Sequence, residues 1–369
     1  MEWKNIKIFH RRQADLVGDS RGAVAILVAL LLVIFVGMGA LAVDVGYLMV
    51  NRNELQNAAD AAALASTRQL GVLYEGMTVA QQQSYVAGGT DELLIKGAAT
   101  GVAFSNQAGG VNIAIDPEEI LIGTWDTRRS PDPFSQTRDQ PDAVRVIARR
   151  DQQINNPVSL FFARVFGIQS APVNAVATAA LTGQSTAGPG GLSIPIGISA
   201  DWFDRGYFCG QRIQFHPTDS CAGWHTYDES PSSANRLRRI IQGLRNGTYT
   251  SPETTANSTV FNATGGTIVP AISDLFDLFE YMRTRDEDGN PGTWTTEVVV
   301  FDFPCGRNPG QEYTVVGFAT VVMEDVIVND PRSGPQHTVV GTVICDNIEP
   351  GRGGGGNFGT MGAIPGLVQ

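Results

Sequence analysis

The apolar positions of this chain are unevenly spread, and the densest block is residues 22–43, GAVAILVALLLVIFVGMGALAV, 22 residues without a charged or strongly polar side chain. As a helix rising ~1.5 Å per residue the block covers about 33 Å, enough to cross the ~30 Å hydrocarbon core of a bilayer. A buried core helix rarely runs this far without a polar position, so the pattern predicts a transmembrane helix over 22–43. The helical pattern continues past it. Asp44-Val45-Gly46-Tyr47 leads into residues 48–70, where Leu55, Ala58, Ala59, Ala62, Leu64 and Ala65 recur at helical spacing and no proline intervenes. One continuous helix is predicted, apolar on all sides at first and then alanine-rich. Six alanines among residues 58–65, and the small-xxx-small pairs Ala25/Ala29 and Ala42/Gly46, permit close backbone approach to a neighbour. That neighbour is either another chain or this chain's own sheet.

Beyond residue 70 the period changes. A second helix is expected over 78–100, interrupted by Gly88-Gly89. Short β-branched runs at 111–115, 120–125 and 143–148 predict strands, with a turn-rich loop over 128–142. Residues 157–166, PVSLFFARVF, read as a short amphipathic helix opened by Asn155-Asn156-Pro157. Residues 173–181 read as a strand or a short helix. Further on come an apolar run at 194–198, helices at 234–244 and 271–283, and valine-rich strands at 297–303, 313–323 and 338–345.

The expected fold class is therefore α+β. A single N-terminal transmembrane helix continues into an extracytoplasmic helix packed on an antiparallel sheet, and a second, β-rich domain follows. The divisions are a basic cytoplasmic segment at 1–21, the membrane span at 22–43, an α+β domain at 44–183, a small-residue linker at 184–191, the β-rich domain at 192–349 and a glycine-rich tail at 350–369.

Charge orients this arrangement. The chain carries 26 Lys+Arg against 37 Asp+Glu, a formal net charge of -11, which argues against nucleic acid as a partner. Lys4, Lys7, Arg11, Arg12 and Arg21 against Glu2, Asp15 and Asp19 leave the first 21 residues at +2 and the rest at -13. The positive-inside rule then places the N-terminus in the cytoplasm and the bulk of the chain outside the inner membrane. Ala40-Leu41-Ala42 offers a competing signal-peptide cleavage site, but about 18 apolar residues precede it, more than the 7–15 of a secretory h-region.

All four cysteines, Cys209, Cys221, Cys305 and Cys345, lie beyond the span, and an even number in an oxidising compartment suggests two disulfides. Three connectivities are open. The preferred pairing joins Cys209 to Cys221 across a short loop and Cys305 to Cys345; a zinc site drawing on His216 and His225 is the competing use.

No catalytic residue, cofactor site or metal site is assigned. Asp228-Glu229-Ser230-Pro231-Ser232 fits D-x-S-x-S, the opening of a von Willebrand A-type adhesion site, but lacks an apolar strand before the aspartate and reads better as a turn leading into the 234–244 helix. The acidic groups Glu118-Glu119, Asp228-Glu229 and Asp286-Glu287-Asp288 sit in polar, turn-like surroundings. His10, His216, His225 and His337 show no metal-ligand spacing, and no G-x-S-x-G or phosphate-cradling glycine loop is present.

The stretch from Arg21-Gly22 through the apolar run to Asp44-Val45-Gly46-Tyr47 and on to Leu55-Gln56-Asn57-Ala58-Ala59-Asp60-Ala61-Ala62-Ala63-Leu64-Ala65 resembles the N-terminal signature of the TadE/TadG-like proteins of the tight-adherence (Flp-type) pilus machinery. Residues 143–149, SLFFARVFG and ATAAL are similar, more loosely, to their middle region. The resemblance implies a single-pass inner-membrane protein, an accessory or minor structural component of pilus assembly. It implies contact with other pilus-assembly proteins, pilins or a second copy through helix 22–70, and brings no enzymatic residues. Where pilin-type members carry a glutamate at the fifth position after the processed glycine, this chain has Leu27. A surface adhesin or sensor, whose distal domain 192–349 binds an external ligand, is the competing function.

Overall fold

The computed structural model describes residues 20–206, 209–216, 221–264, 269–286, 290–306, 312–328 and 337–369. Most of the basic segment expected at 1–21 lies outside these residues, as do His10, Glu287 and Asp288.

Helix α1 is continuous from Ser20 to Glu75, 56 residues. Its interior holds no proline and is dominated by Ala, Leu and Val, so each turn extends the last without a lost hydrogen bond. A capping box between Thr78 and Gln81 then starts the short α2, Val79–Gln83. The helix expected over 78–100 is in fact two. Gly89, at φ 56°, turns the chain into α3, Thr90–Phe104, and between the two helices Val86 runs extended against Asp139.

Five strands form the first sheet, in the order Gly366–Leu367, Val173–Ala180, Ala143–Arg150, Ile120–Trp125 and Phe134–Gln136, with every pair antiparallel. The α1 helix packs on the two long strands. The register brings Val144 opposite Ala179, Val146 opposite Ala177 and Ala148 opposite Ala175, and all six side chains are buried with Ala58, Ala59, Ala62 and Ala63 of the helix. Small residues on both surfaces explain the alanine run: helix and sheet meet across methyl groups. The 173–181 segment thus resolves as a strand.

The amphipathic helix expected at 157–166 is a hairpin tip. Val158–Ser159 pairs with Ser170–Ala171, and Ala163–Phe166 forms a single 3-10 turn between them. The reason lies far away in sequence, in the carboxylate of Asp44, which takes the backbone N–H groups at the start of that turn.

The distal unit is built on a seven-stranded sheet in the order Arg212–His216, Thr338–Ile344, Glu312–Ile327, Val260–Thr264, Ala222–His225, Ile196–Ser199 and Trp294–Phe301. The last strand also pairs with Glu312–Ile327, so five strands close into a ring, with one parallel step between Ile196–Ser199 and Trp294–Phe301. Two helices, α4 (Ala234–Asn246) and α5 (Val269–Arg283), pack on each other and are joined by Arg238 to Asp274 and Arg245 to Asp277.

Both disulfides form, but in a different pairing from the preferred one: Cys209 with Cys345 and Cys221 with Cys305, at Cα separations of 5.4 and 4.4 Å. Sheet register decides this. Gly210 donates its N–H to Val343 and Arg212 lies opposite Thr342, which sets Cys209 beside Cys345. Ser199 donates to the carbonyl of Cys221 while Asp201 accepts the N–H of Cys305, so the segment around 199–201 brings that pair together.

Parts of the segments read as a linker and a glycine-rich tail are strands. Gly183–Gln184, Asn347–Gly355 and Thr360–Ile364 form a small closed barrel at the seam between the two units. Ile348, Met361 and Ala363 belong to the core beneath α1, whereas Phe358 packs on the distal core and Thr320 shares a hydrogen bond with Thr360. The glycines are needed here because backbones cross where no side chain fits: a Cβ on Gly355 would collide with the carbonyl of Gln184.

Candidate functional site

The surface that organises this protein is helix α1, and its two halves have opposite environments. From Asn51 onward one stripe is buried: Asn51, Leu55, Ala58, Ala59, Ala62, Ala63, Ser66, Thr67, Leu70 and Tyr74, the i, i+3, i+4 spacing of a helix lying on a core. Near the far end of the stripe, Gly71 lets the carbonyl of Ala363 approach to where a Cβ would stand 2.5 Å from it.

Polar groups tie this half down at successive turns. Gln56 donates to the carbonyl of Val176 at 2.9 Å, Thr67 to that of Ala179 at 3.1 Å, and Tyr74 to that of Pro141 at 3.0 Å. Arg150, 5% exposed, reaches across from the sheet to Asn51 Oδ1 at 2.9 Å and to the carbonyl of Ala108 at 2.8 Å, and its Nε donates to the carbonyls of Asn155 and Asn156. Glu54 accepts the N–H of Gly109 at 2.6 Å. A buried guanidinium is tolerated here because these acceptors replace its hydration.

The lowest tie is Asp44. Its carboxylate, nearly inaccessible to solvent, accepts the N–H of Phe161 at 2.8 Å, Phe162 at 3.0 Å and Ala163 at 2.7 Å. Burial pushes this carboxyl up, but the three backbone donors and the nearby Arg164 outweigh it and hold the group below its ordinary value. Below Asp44 the described residues leave the helix uncovered. Val24, Leu27, Leu31, Phe35, Met38 and Leu41, on every side of it, are all exposed, and the chain buries none of the most apolar window. A Cβ placed on Gly37, Gly39 or Gly46 would meet nothing within 4 Å.

The uncovered part of α1, Asp44 and the first turns of the docked part all fall within residues 22–69. That segment matches the Tad family model, described as "Putative Flp pilus-assembly TadE/G-like". The match lies wholly within α1 and spans both its halves. No curated protein and no solved structure matches the chain.

Set against the Tad segment, the sequence-stretch expected to offer a partner surface divides in two. Ala58, Ala59, Ala62 and Ala63 are fully buried within the chain, so their close-packing capacity is taken up by its own sheet. Ala25, Ala29, Ala42 and Gly46 remain uncovered or nearly so. Asp44 was legible as a residue of the signature but not as the acceptor for a loop 117 positions away. An acid set inside a helix just where an apolar run ends was the available signal, since such a group is stable there only with partners.

The other chemical candidates fall into structural roles. The strand before Asp228, Ala222–His225, is antiparallel to both neighbours, Ser232 donates to the carbonyl of Ala263, and Ser233 caps α4. Glu229 pairs with Arg236 and Arg239, and Glu119 with Arg149. Asp286 accepts the N–H of Thr295. His225 is enclosed by Tyr227, Phe261 and Phe301, and burial lowers its pKa to about 3; the side chain of His216 lies outside the described residues, and His337 is buried. With the cysteines of the competing zinc reading bound in disulfides, that reading loses its thiolates. Among the described residues no three His, Cys, Asp or Glu side chains form a metal-binding group.

At the seam, Tyr74, Asp142, Asp346, Ile348 and Met361 line a small pocket. Burial pushes the Asp142 carboxyl up to about 7, the facing Asp346 adding to it, although the N–H of Trp125 bonds to it at 2.7 Å. Asp346 is raised as well, also by burial.

Proposed function

We propose that this protein is a membrane-anchored structural component of Flp/Tad-type pilus assembly, working through protein–protein contacts rather than catalysis. The observation that carries the reading is the Tad match over residues 22–69 on a helix whose first half is apolar on all sides and left uncovered by the described residues. Lipid is the environment that stabilises such a surface. The N-terminus is cytoplasmic and the two folded units are periplasmic, a topology supported by the +2 balance of the first 21 residues and by the two disulfides, which persist in oxidising compartments.

Contacts with pilus-assembly proteins, pilins or a second copy are assigned to the uncovered half. Gly37, Gly39 and Gly46 have no intrachain neighbour that requires their smallness, and small residues are what helix pairs in a bilayer use to approach. Deleting the gene and scoring pili by microscopy, beside membrane fractionation of the tagged protein, tests the reading. Loss of pili with recovery in the membrane fraction is expected; normal pili with lost adherence would favour an adhesin built on residues 192–349.

A further inference from the structure

We infer that the hairpin tip around residues 160–168 is a second membrane contact, inserted into the lipid surface on the periplasmic side beside the anchor. The inference rests on the anchored reading of α1 and adds a site to it. The tip exposes large apolar side chains at five of its nine positions: Phe161 at 59%, Phe162, Val165 at 83%, Phe166 at 81% and Ile168. This aromatic and aliphatic surface is left uncovered by the described residues, which is costly in water.

Its height along the anchor is set by hydrogen bonds. Asp44 holds the N–H groups of Phe161, Phe162 and Ala163, and the ring of Phe161 stands edge-on to Tyr47 at 5.1 Å. A hydrocarbon core of ~30 Å takes about 20 helical residues, so a span opening at Val24 ends at Val43, one residue before that tie. The tip is therefore fastened to the helix at the depth where acyl chains give way to headgroups, and at that height of the helix Val43, Val45 and Met49 are exposed as well. Arg164, exposed within the tip, places a cation where phosphate groups lie. Bilayer lipid is the occupant that fits this position. An amide-held loop of this kind fixes the tilt and rotation of the folded units relative to the membrane, which a single helix leaves free.

Full-length chain carrying a single added cysteine at Phe166→Cys, with Phe35→Cys and Ser258→Cys as references, is labelled with an environment-sensitive fluorophore. The labelled chains are reconstituted into phosphatidylcholine–phosphatidylglycerol vesicles and challenged with spin-labelled lipid and with aqueous iodide. Position 166 should emit to the blue of position 258, lose most of its emission to shallow lipid quenchers, and resist iodide. Lipid quenching at 35 combined with full iodide access at 166 overturns the inference and leaves the anchor standing. Protection of 166 from both quenchers that fades on dilution of protein in lipid assigns the tip to a second copy instead and overturns it too. Failure of lipid quenching at 35 removes the anchor and the inference together.

Discussion

The two halves of α1 both carry alanines four residues apart, and these have opposite fates. Ala25 and Ala29 are exposed, whereas Ala58 and Ala62 are sealed beneath the sheet strands 143–150 and 173–180. The alanines alone do not separate the halves. What does is the polar residue set between or after the alanines: Asn51, Gln56, Ser66 and Thr67 appear only where a sheet supplies carbonyls or the helix itself accepts them, and none interrupts residues 22–43. Small apolar residues thus mark close packing, and the interleaved donors show whether the packing partner belongs to the same chain.

The largest test of this contrast is Arg150→Met. It strands Asn51, the carbonyl of Ala108 and two loop carbonyls in a buried site, and should cost the folded unit about 4 kcal/mol in denaturant unfolding. An unchanged midpoint would show that the docked half is not held by this arginine.

Next is pH. The Asp142 carboxyl rises from an ordinary 3.8 to about 7 in the folded state, so between these values the folded chain binds more protons than the unfolded one. Its contribution is fully present below about pH 4 and is lost as pH climbs through about 7. Thermal unfolding across pH 4–8 should therefore show stability falling with pH around the far end of the docked half. Asp142→Asn, which keeps an oxygen for the N–H of Trp125, should flatten that fall.

Ala62→Leu inserts a larger side chain between helix and sheet and is expected to cost about 2 kcal/mol. Ala29→Leu is its counterpart in the uncovered half, with an expected change in stability below about 0.5 kcal/mol. Detergent-solubilised protein and differential scanning fluorimetry suffice for the pair, and equal losses would erase the distinction between the halves. Asp44→Asn comes between the two in size, at about 1 kcal/mol, since one oxygen acceptor remains for three donors. Its signature is local, as faster amide exchange at Phe161, Phe162 and Ala163.

How far the chain could be read before folding follows from the range of the interactions. The continuity of α1, the strand Ile120–Trp125 and the core of the strand Ala143–Arg150 were legible, because periodicity and the absence of proline are local properties. The hairpin tip was not: Phe161, Phe162 and Val165 have helical spacing, and nothing nearby reveals that Asp44 takes the amides of Phe161, Phe162 and Ala163. The glycine-rich tail carries too little side-chain bulk to order alone; it orders because Gly183, Gln184 and the 360–364 strand arrive from elsewhere in the chain. The cysteine pairing was hidden for the same reason, since it depends on which strands become neighbours across separations of 136 and 84 residues.

The return of the C-terminal strands to the first sheet changes how force would travel through this molecule. Gly366–Leu367 hydrogen-bonds to Val173–Ala180, which lies directly on α1, while Phe358 and Thr360 grip the distal unit. A pull on that unit is shared between the outgoing backbone near residue 183 and the returning strands near residue 366, loaded in parallel. The two units then behave under tension as one stiff link, with its compliance displaced to the uncovered half of α1.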